Sequence, residues 1–194
     1  MNNDFLPICK RDMESRRLNE LDVILITGDA YVDHPSYGTA VIGRVLEDAG
    51  FTVGIIAQPD PSKFDDFTRL GMPRLFFGIT GSNLDSMVAN FTANKRPRSE
   101  DDYSPGGRSG LRPDRAVIVY TNKIRQAFPG AAVVIGGLEA SLRRLAHYDY
   151  WSDTVKRSIL CDSKADILVY GMGERQILEI ARRIKNNESV KSIE

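Results

Sequence analysis

The chain has 194 residues, enough for one large domain that buries about 70% of its unfolded surface. Its 26 basic and 26 acidic residues leave no net charge, which argues against nucleic acid or another polyanion as a partner. The longest apolar runs, such as 23–27 and 53–57, are far shorter than the ~20 residues that cross a bilayer. The first residues lack the apolar core of a secretory signal, so the expected location is the cytoplasm.

Five short apolar runs predict strands, and the segments between them mostly have helical periodicity. Because the runs are apolar throughout instead of alternating, they are typical of parallel strands that are covered on both faces. The alternation of strand and helix predicts an α/β fold, a three-layer sandwich with a doubly wound, mainly parallel five-stranded sheet. The predicted strands are residues 22–28, 52–58, 74–79, 131–135 and 166–170, and the predicted helices lie within 38–49, 82–91, 117–127 and 177–184.

We expect an N-terminal extension of residues 1–20 and then a Rossmann-like α/β domain of residues 21–194. Inside that domain, Ser82 and Asp85 have the spacing of a capping box at the start of a helix. The segment 94–114 interrupts the alternation, since it is polar, rich in Pro, Gly and Arg, and without periodicity. A loop this long is usually functional or mobile. We expect a solvated or partly disordered surface loop, with anion binding by its arginines as the alternative.

A second unusual segment, residues 146–153, crowds Tyr148, Tyr150 and Trp151 into an apparent turn between helices. Solvated turns rarely expose so much aromatic surface, so the rings need a partner. Two interpretations stay open: the turn folds back on its own core, or these three residues dock another domain or chain. In either case Ser152, or the aspartate after it, would cap the helix that follows.

In an open parallel sheet, ligands bind beyond the carboxyl ends of the strands, where the strand order reverses. The loops that follow four of the predicted strands carry glycine, which either lets a ligand approach the backbone or serves the turn alone. Residues of these loops form the candidate cofactor-binding pocket. They are Asp33, His34, Gly81, Ser82, Gly136, Gly137, Gly171, Gly173 and Glu174.

Known cofactor fingerprints are absent from these loops. Gly171-x-Gly173 lacks the third glycine of the dinucleotide fingerprint, and no Walker-type phosphate loop occurs. His34, near Asp29 and beside Asp33, has the chemistry to ligate a metal or act as a general base, or to hydrogen-bond the loop to itself. The residues alone therefore assign no catalytic group and no metal ligand.

Long strings of residues between about Phe5 and Ile184 carry a family resemblance. They include TGDAYVDHPSYGTAVIGRVLEDAGF, LFFGITGSNLDSMVANFTA, GGLEASLRRLAHYDYWSDTVKRSIL and KADILVYGMGERQILEIA. In this order they resemble the N-terminal domain of the YgiQ-type radical SAM protein family. The resemblance implies a flavodoxin-like fold of the kind found in cobalamin-binding domains, whose strand-end loops hold the cofactor. The cobalt-ligating pattern D-x-H-x-x-G is not met, because Asp33 and His34 are adjacent.

The resemblance also implies chemistry outside this chain. Radical SAM enzymes hold a four-iron four-sulfur cluster through C-x3-C-x2-C and cleave S-adenosylmethionine to form a 5′-deoxyadenosyl radical. Cys9 and Cys161 are too few for such a cluster. We therefore expect a radical SAM barrel after residue 194 as the partner of this domain.

The implied function is an accessory domain that shapes or covers the active site of an enzyme with an unknown small-molecule or macromolecular substrate. The alternative is a stand-alone domain that binds a nucleotide, a phosphate or a cobalamin-like ligand. Neither function requires a membrane. RNA binding through the 94–114 loop is a third interpretation, disfavoured by the neutral charge and by the acidic residues 100–102.

Overall fold

The computed structural model describes residues 5–193 and is built around a parallel sheet of five strands. The strands are β1 (Val23–Thr27), β2 (Val53–Ala57), β3 (Phe76–Thr80), β4 (Val133–Gly136), β5 (His147–Asp149), β6 (Thr154–Lys156) and β7 (Ile167–Leu168). The order across the sheet is β2-β1-β3-β4-β7, and every neighbouring pair is parallel. The predicted five-stranded parallel sheet is confirmed, while β5 and β6 form a separate antiparallel hairpin.

Helices connect the strands and cover both faces of the sheet. They are α1 (Lys10–Ser15), α2 (Gly38–Asp48), α3 (Phe64–Thr68), α4 (Ser86–Asn90), α5 (Ala116–Ala127), α6 (Gly137–Leu142), α7 (Ile159–Ser163) and α8 (Glu174–Lys185). Single 3-10 turns lie at Pro105–Gly107 and Val190–Ser192. Within residues 5–193, no helix is both long and apolar enough to span a membrane.

The two faces of the sheet bury separate hydrophobic clusters, because successive side chains of a strand point to opposite sides. Ile24 and Ile26 of β1 pack in the cluster that includes residues of α3, α5 and α7. Val23 and Leu25 of the same strand pack in the cluster that includes residues of α2 and α8. All four side chains are buried. The three-layer α/β sandwich predicted from the sequence is therefore confirmed.

The strand order identifies the edge of the sheet where a ligand is expected. From β1 the chain moves outward to β2, then returns across β1 to β3 and continues through β4 to β7. The direction of winding reverses between β1 and β3, which makes their carboxyl ends the topological switch point. The loops that carry the candidate pocket residues all lie at this edge.

The segment before β1 packs on the domain through Leu6 and Pro7. The Ile55 amide of the edge strand β2 donates to the Pro7 carbonyl at 2.8 Å. Leu6 is buried in the α2–α8 cluster, and its amide donates to the Tyr31 hydroxyl at 3.2 Å. Because an unpaired sheet edge invites pairing with other chains, this segment also protects β2.

Two predicted helix caps are wrong. The carboxylate of Asp85, not the Ser82 hydroxyl, caps α4 by accepting from the amides of Met87 and Val88. Ser158, not Ser152 or its neighbour, caps α7. The residues before α7 pair as the β5–β6 hairpin instead, so the apparent turn between helices is a strand pair.

Leu6→Ala tests whether the N-terminal segment belongs to the folded unit. We expect the free energy of unfolding to fall by about 2–5 kcal/mol, because the substitution leaves a cavity in a closed core. Ile8→Ala, at an exposed position of the same segment, is the matched control and is expected to change it by less than about 0.5 kcal/mol. Urea denaturation followed by Trp151 fluorescence measures both, and equal effects would contradict the packing described here.

Candidate functional site

A cavity of about 360 Å³ opens at the carboxyl edge of the sheet, where α2, α6 and α8 begin. Leu25, Val134 and Val169 contribute its sheet side, and Ile42 and Ile177 contribute its helix side. This volume lies at the lower end of the range of small-molecule pockets, roughly 300–1,000 Å³. The site is therefore concave, mostly apolar and placed where doubly wound folds bind ligands.

Most of the sequence-predicted pocket residues meet at this cavity. Those that line it are Ser82, Gly136, Gly137, Gly171, Gly173 and Glu174. Asp33, His34 and Gly81 do not line it. Ligand binding by the lining residues stays a prediction, while their convergence follows from the shared edge of the parallel strands.

Several glycines of these loops serve the packing of the protein on itself. A Cβ at Gly28 would lie 2.0 Å from the Gly81 carbonyl oxygen, and one at Gly81 would lie 2.3 Å from the Glu139 carboxylate. Gly137 has φ +78° and faces the Thr80 hydroxyl, which a Cβ would approach to 2.2 Å. At Gly171, with φ +71°, no atom lies within 4 Å of the Cβ position. Only the last of these leaves space for a ligand beside the backbone.

Asp33 and His34 are engaged away from the cavity. The Arg44 Nε donates to both carboxylate oxygens of Asp33 at 3.1 Å. This hydrogen-bonded guanidinium lowers the pKa of the Asp33 carboxyl. The exposed His34 accepts from the Ser36 amide through Nδ1 at 3.1 Å. Of the roles left open for His34, the hydrogen bond within its own loop is the one that the geometry supports.

Residues 98–112, which we call the strap, are tied to the sheet edge by a buried arginine. The Arg112 Nη2 lies 2.7 Å from Asp29 Oδ1, and its Nη1 lies 3.0 Å from Asp101 Oδ2. The Arg112 Nε donates to the Gly28 carbonyl at 3.1 Å. The Arg112 side chain is fully buried. Residues 94–100 are exposed, as expected for a surface loop, but Asp101, Ser104 and Arg112 are buried. The charge pattern along the chain did not reveal this anchoring, because it does not show which carboxylates pair with Arg112.

The strap closes one half of the switch-point edge. The Ala30 amide donates to the Tyr103 carbonyl at 2.8 Å. The Gln58 side-chain amide donates to the Ser104 hydroxyl at 2.7 Å. These contacts cover the loops after β1 and β2. The open cavity lies beside the strap, where its lining includes residues of β1 and of the later part of the loop after β1, together with the ends of β3, β4 and β7.

Asp29 connects the strap to the cavity rim. Its Oδ2 accepts from the Asn83 amide at 2.7 Å. The Asn83 side chain in turn accepts from the Gly38 amide and donates to the Ser36 carbonyl, both at 3.0 Å. Burial raises the pKa of the Asp29 carboxyl, opposed by the Asn83 amide and Arg112. One buried carboxyl therefore positions both the strap and the start of α2.

Glu139 is a buried acid that sequence reasoning missed. Its Oε2 accepts from the Ser86 amide at 3.0 Å and its Oε1 from the Val117 amide at 3.1 Å. It thereby joins α6 to the first turns of α4 and α5, behind the cavity. Burial raises the pKa of the Glu139 carboxyl, against the opposing effect of these donors. The available sequence signal was a single acid within the otherwise apolar or small residues 135–140.

The residues present do not fit an iron–sulfur cluster or a histidine-ligated cobalamin. Cys9 and Cys161 are the only cysteines, whereas the cluster of radical SAM enzymes needs three. Among residues 5–193, no three His, Cys, Asp or Glu side chains come together as a metal site. Neither His34 nor His147 lines the cavity. The chemistry assigned to this chain therefore uses neither group.

The aromatic hairpin is partly packed and partly exposed. The Trp151 ring lies 5.4 Å from the Phe91 ring, between centroids. The Tyr150 hydroxyl donates to the Ala93 carbonyl at 2.8 Å, and Lys95 Nζ lies 4.5 Å from the centre of its ring. Tyr148, however, is 61% exposed. Trp151 thus packs within the domain, while the tyrosines also face solvent.

A second set of exposed apolar side chains, which the sequence did not suggest, lies beside the cavity mouth. We call it the α6 patch. Its side chains are 42% to 82% exposed and are those of Leu138, Leu142, Leu145, Tyr170 and Met172. The first two are one helical turn apart on α6, and Leu138 and Met172 also line the cavity. The patch therefore meets the cavity lining at Leu138 and Met172.

The fold and the site define a doubly wound, flavodoxin-like α/β domain with a ligand-sized cavity at its switch-point edge. A family model described as Radical SAM N-terminal matches residues 5–194, so the chain belongs to that family. This confirms the resemblance that the sequence strings indicated.

Two groups of relatives are similar to the chain over nearly its whole length. A UPF0313 protein of Clostridium botulinum strain 657 is 58% identical over 99% of this chain and 30% of its own length. A UPF0313 protein of Thermotoga neapolitana is 62% identical over 97% of this chain and 34% of its own length. The chain thus spans about a third of these relatives. No solved structure matches it significantly.

Arg112→Met tests the strap. The substitution leaves Asp29 and Asp101 buried without their cation, so we expect the free energy of unfolding to fall by about 3–5 kcal/mol. Arg108→Met, at an exposed position of the same strap, is expected to change it by less than about 0.5 kcal/mol. Urea denaturation compares the two variants. A small effect of Arg112→Met would contradict the role assigned to this cation.

Glu139→Gln tests the buried acid through pH. Because the pKa of Glu139 in the folded protein is raised above the ordinary value of about 4.3, the folded state keeps a proton that the unfolded chain has released. The wild type therefore loses stability as pH rises through the folded pKa, and the variant lacks this loss. We expect the free energy of unfolding of the wild type, minus that of the variant, to decrease with pH above about 4.3. Urea titrations at a series of pH values measure it; a constant difference would refute the assignment.

Proposed function

We propose that this chain is an accessory domain that packs against the radical SAM domain of the same polypeptide and covers part of its active site. The observation that carries the proposal is the α6 patch, on a chain whose relatives are about three times as long. Soluble monomers rarely leave a contiguous apolar surface of this kind without a partner. A neighbouring domain in the same polypeptide supplies that partner at high effective concentration.

The position of the patch supports a role at the active site. Leu138 and Met172 belong both to the patch and to the lining of the cavity. A domain seated on the patch therefore also covers the cavity mouth. Ligand sites occur preferentially between domains and at the switch points of α/β sheets. This edge is the switch point of the sheet, and with a docked domain it would also lie between two domains.

The patch is also preorganised for docking. The Ser141 hydroxyl donates to the Gly137 carbonyl at 2.7 Å and accepts from the Gly171 amide at 3.0 Å. The Arg144 guanidinium lies 5.2 Å from the centre of the Tyr170 ring. These contacts hold α6 and the turn after β7 together, so docking orders few groups and loses little conformational entropy.

The hairpin adds a second contact surface to the same proposal. It follows α6 along the chain, and Tyr148 and Val155 lie opposite each other in the strand pair. Both side chains are exposed. Tyrosine is enriched at the centres of protein interfaces, because it combines apolar area with a hydrogen-bonding group. Tyr148 and Tyr150 therefore remain the proposed docking residues of the hairpin, whereas Trp151, the third candidate, packs on Phe91 within the domain.

Hydrogen exchange tests the docking. We expect the amides of residues 137–145 to exchange more slowly in the longer protein than in this chain alone, because docking buries α6. Leu142→Arg is expected to restore fast exchange in the longer protein. In this chain alone it should change the free energy of unfolding by less than about 0.5 kcal/mol.

Met72→Arg is the matched control, since Met72 is also exposed but lies on the loop before β3. It is expected to leave the exchange of residues 137–145 unchanged in both proteins. Equal exchange of these amides in the longer protein and in the chain alone would refute docking at the α6 patch. Slower exchange confined to residues 147–156 would assign the contact to the hairpin instead.

A second candidate function is the binding of a small molecule by this domain. The cavity supports it, because all of its lining residues belong to this chain. This function and domain docking are compatible, since the cavity mouth lies within the surface that docking would cover.

A further inference from the structure

We propose that the cavity binds a small apolar amine, with the Glu174 carboxylate at its mouth as the counter-ion. The proposal rests on the small-molecule function above and names its ligand class. It does not depend on domain docking, because the lining residues from which it is argued belong to this chain.

The walls of the cavity select an apolar ligand body. Leu25 and Val134 project from the sheet, and Val41, Ile42 and Ile177 project from the facing helices. A cavity of about 360 Å³ holds one ring or a short branched chain together with its polar end. Transfer of such a group from water into these walls is favourable in proportion to its apolar area.

Three of the polar side chains at the cavity are already engaged by the protein. The Asn83 amide bonds to Gly38 and Ser36, and the Ser82 hydroxyl accepts from the Leu84 amide at 2.9 Å. Thr80 donates to the Ser82 carbonyl at 3.4 Å. These three groups shape the rim of the cavity through bonds within the protein.

Glu174 differs from these polar residues, because among the described residues it is the only charged one in the lining. It is half-buried, and within residues 5–193 no lysine, arginine or histidine forms an ion pair with it. A carboxylate at the mouth of an apolar cavity attracts a cation more strongly than one surrounded by water. The ligand group that satisfies it is an ammonium, which donates hydrogen bonds and carries the opposite charge.

The same charge disfavours anions, including the nucleotide and phosphate ligands considered from the sequence. A phosphate in the cavity would face Glu174, and none of the described residues that line the cavity is a cation. The start of α8 would otherwise attract an anion, but Glu174 itself occupies its first turn. At the start of α2, the Gly38 amide already donates to the side chain of Asn83. The electrostatics of the site therefore favour a cationic ligand.

Three probes with one ring and different charges test this assignment: benzylamine, benzyl alcohol and benzoate. Titration of the 194-residue chain, followed by amide chemical shifts of residues 36–42 and 169–177, gives a dissociation constant for each. We expect benzylamine to bind about fivefold more tightly than benzyl alcohol, the effect of a partly exposed ion pair worth about 1 kcal/mol. Benzoate is expected to bind most weakly.

Two variants and a control separate charge from shape. Glu174→Gln is expected to remove the preference for benzylamine over benzyl alcohol without changing the affinity for the alcohol. Val41→Phe is expected to weaken all three probes by filling the cavity, with its amide spectrum as the check of folding. Glu179→Gln, at an exposed position of α8, is expected to leave every affinity unchanged.

The outcomes distinguish the two levels of the proposal. If benzyl alcohol binds but benzylamine binds no better, or if the preference survives in Glu174→Gln, the amine assignment is overturned and the small-molecule function stands. If benzoate binds most tightly, the ligand is an anion and the assignment is also overturned. If no probe shifts the lining residues, both are overturned. Docking is tested separately by the exchange of residues 137–145.

Discussion

The carboxyl edge of this domain depends on one buried cation, the guanidinium of Arg112, which lies between the carboxylates of Asp29 and Asp101. Three charged groups at nearly full burial are tolerated only as a set, because removing one leaves the others without compensation in a medium that solvates charge poorly. Through Asp101 the contact holds the strap. Through Asp29 and Asn83 it reaches the start of α2. The strap and the rim of the cavity therefore share a single support.

This support explains where the site can be. In doubly wound folds the crevice at the switch point, here between β1 and β3, is the expected ligand position. The strap covers the loops after β1 and β2, with Tyr103 and Ser104 bonded to them. What stays open is the neighbouring part of the edge, between the start of α2 and the ends of β3, β4 and β7. The strap thus covers the part of the crevice beside Asp29. The neighbouring part, whose lining is mostly apolar, stays accessible.

Helix α6 joins this edge to the interior of the domain and also carries part of the surface proposed for docking. On its inner side the buried Glu139 bonds to the first turns of α4 and α5. On its outer side Leu138 and Leu142 form part of the α6 patch. A short helix held so firmly on one face presents the other as a rigid surface, which suits docking in a family whose UPF0313 relatives are much longer. The position of α6 on the domain explains both features: its inner side is held by hydrogen bonds, and its apolar outer side is exposed.

By itself the sequence determined the sheet, its helical layers and the edge at which the candidate loops meet, because apolar runs and helical stripes are local patterns. The sequence also contained the strings of residues that carry the family resemblance. Only the tertiary structure decided that the strap is ordered and that Asp33 and His34 are engaged away from the cavity. The Arg112–Asp29 pair joins residues 83 positions apart. Such buried ion pairs depend on which distant side chains folding brings together away from water. A local periodicity in the sequence cannot predict these contacts.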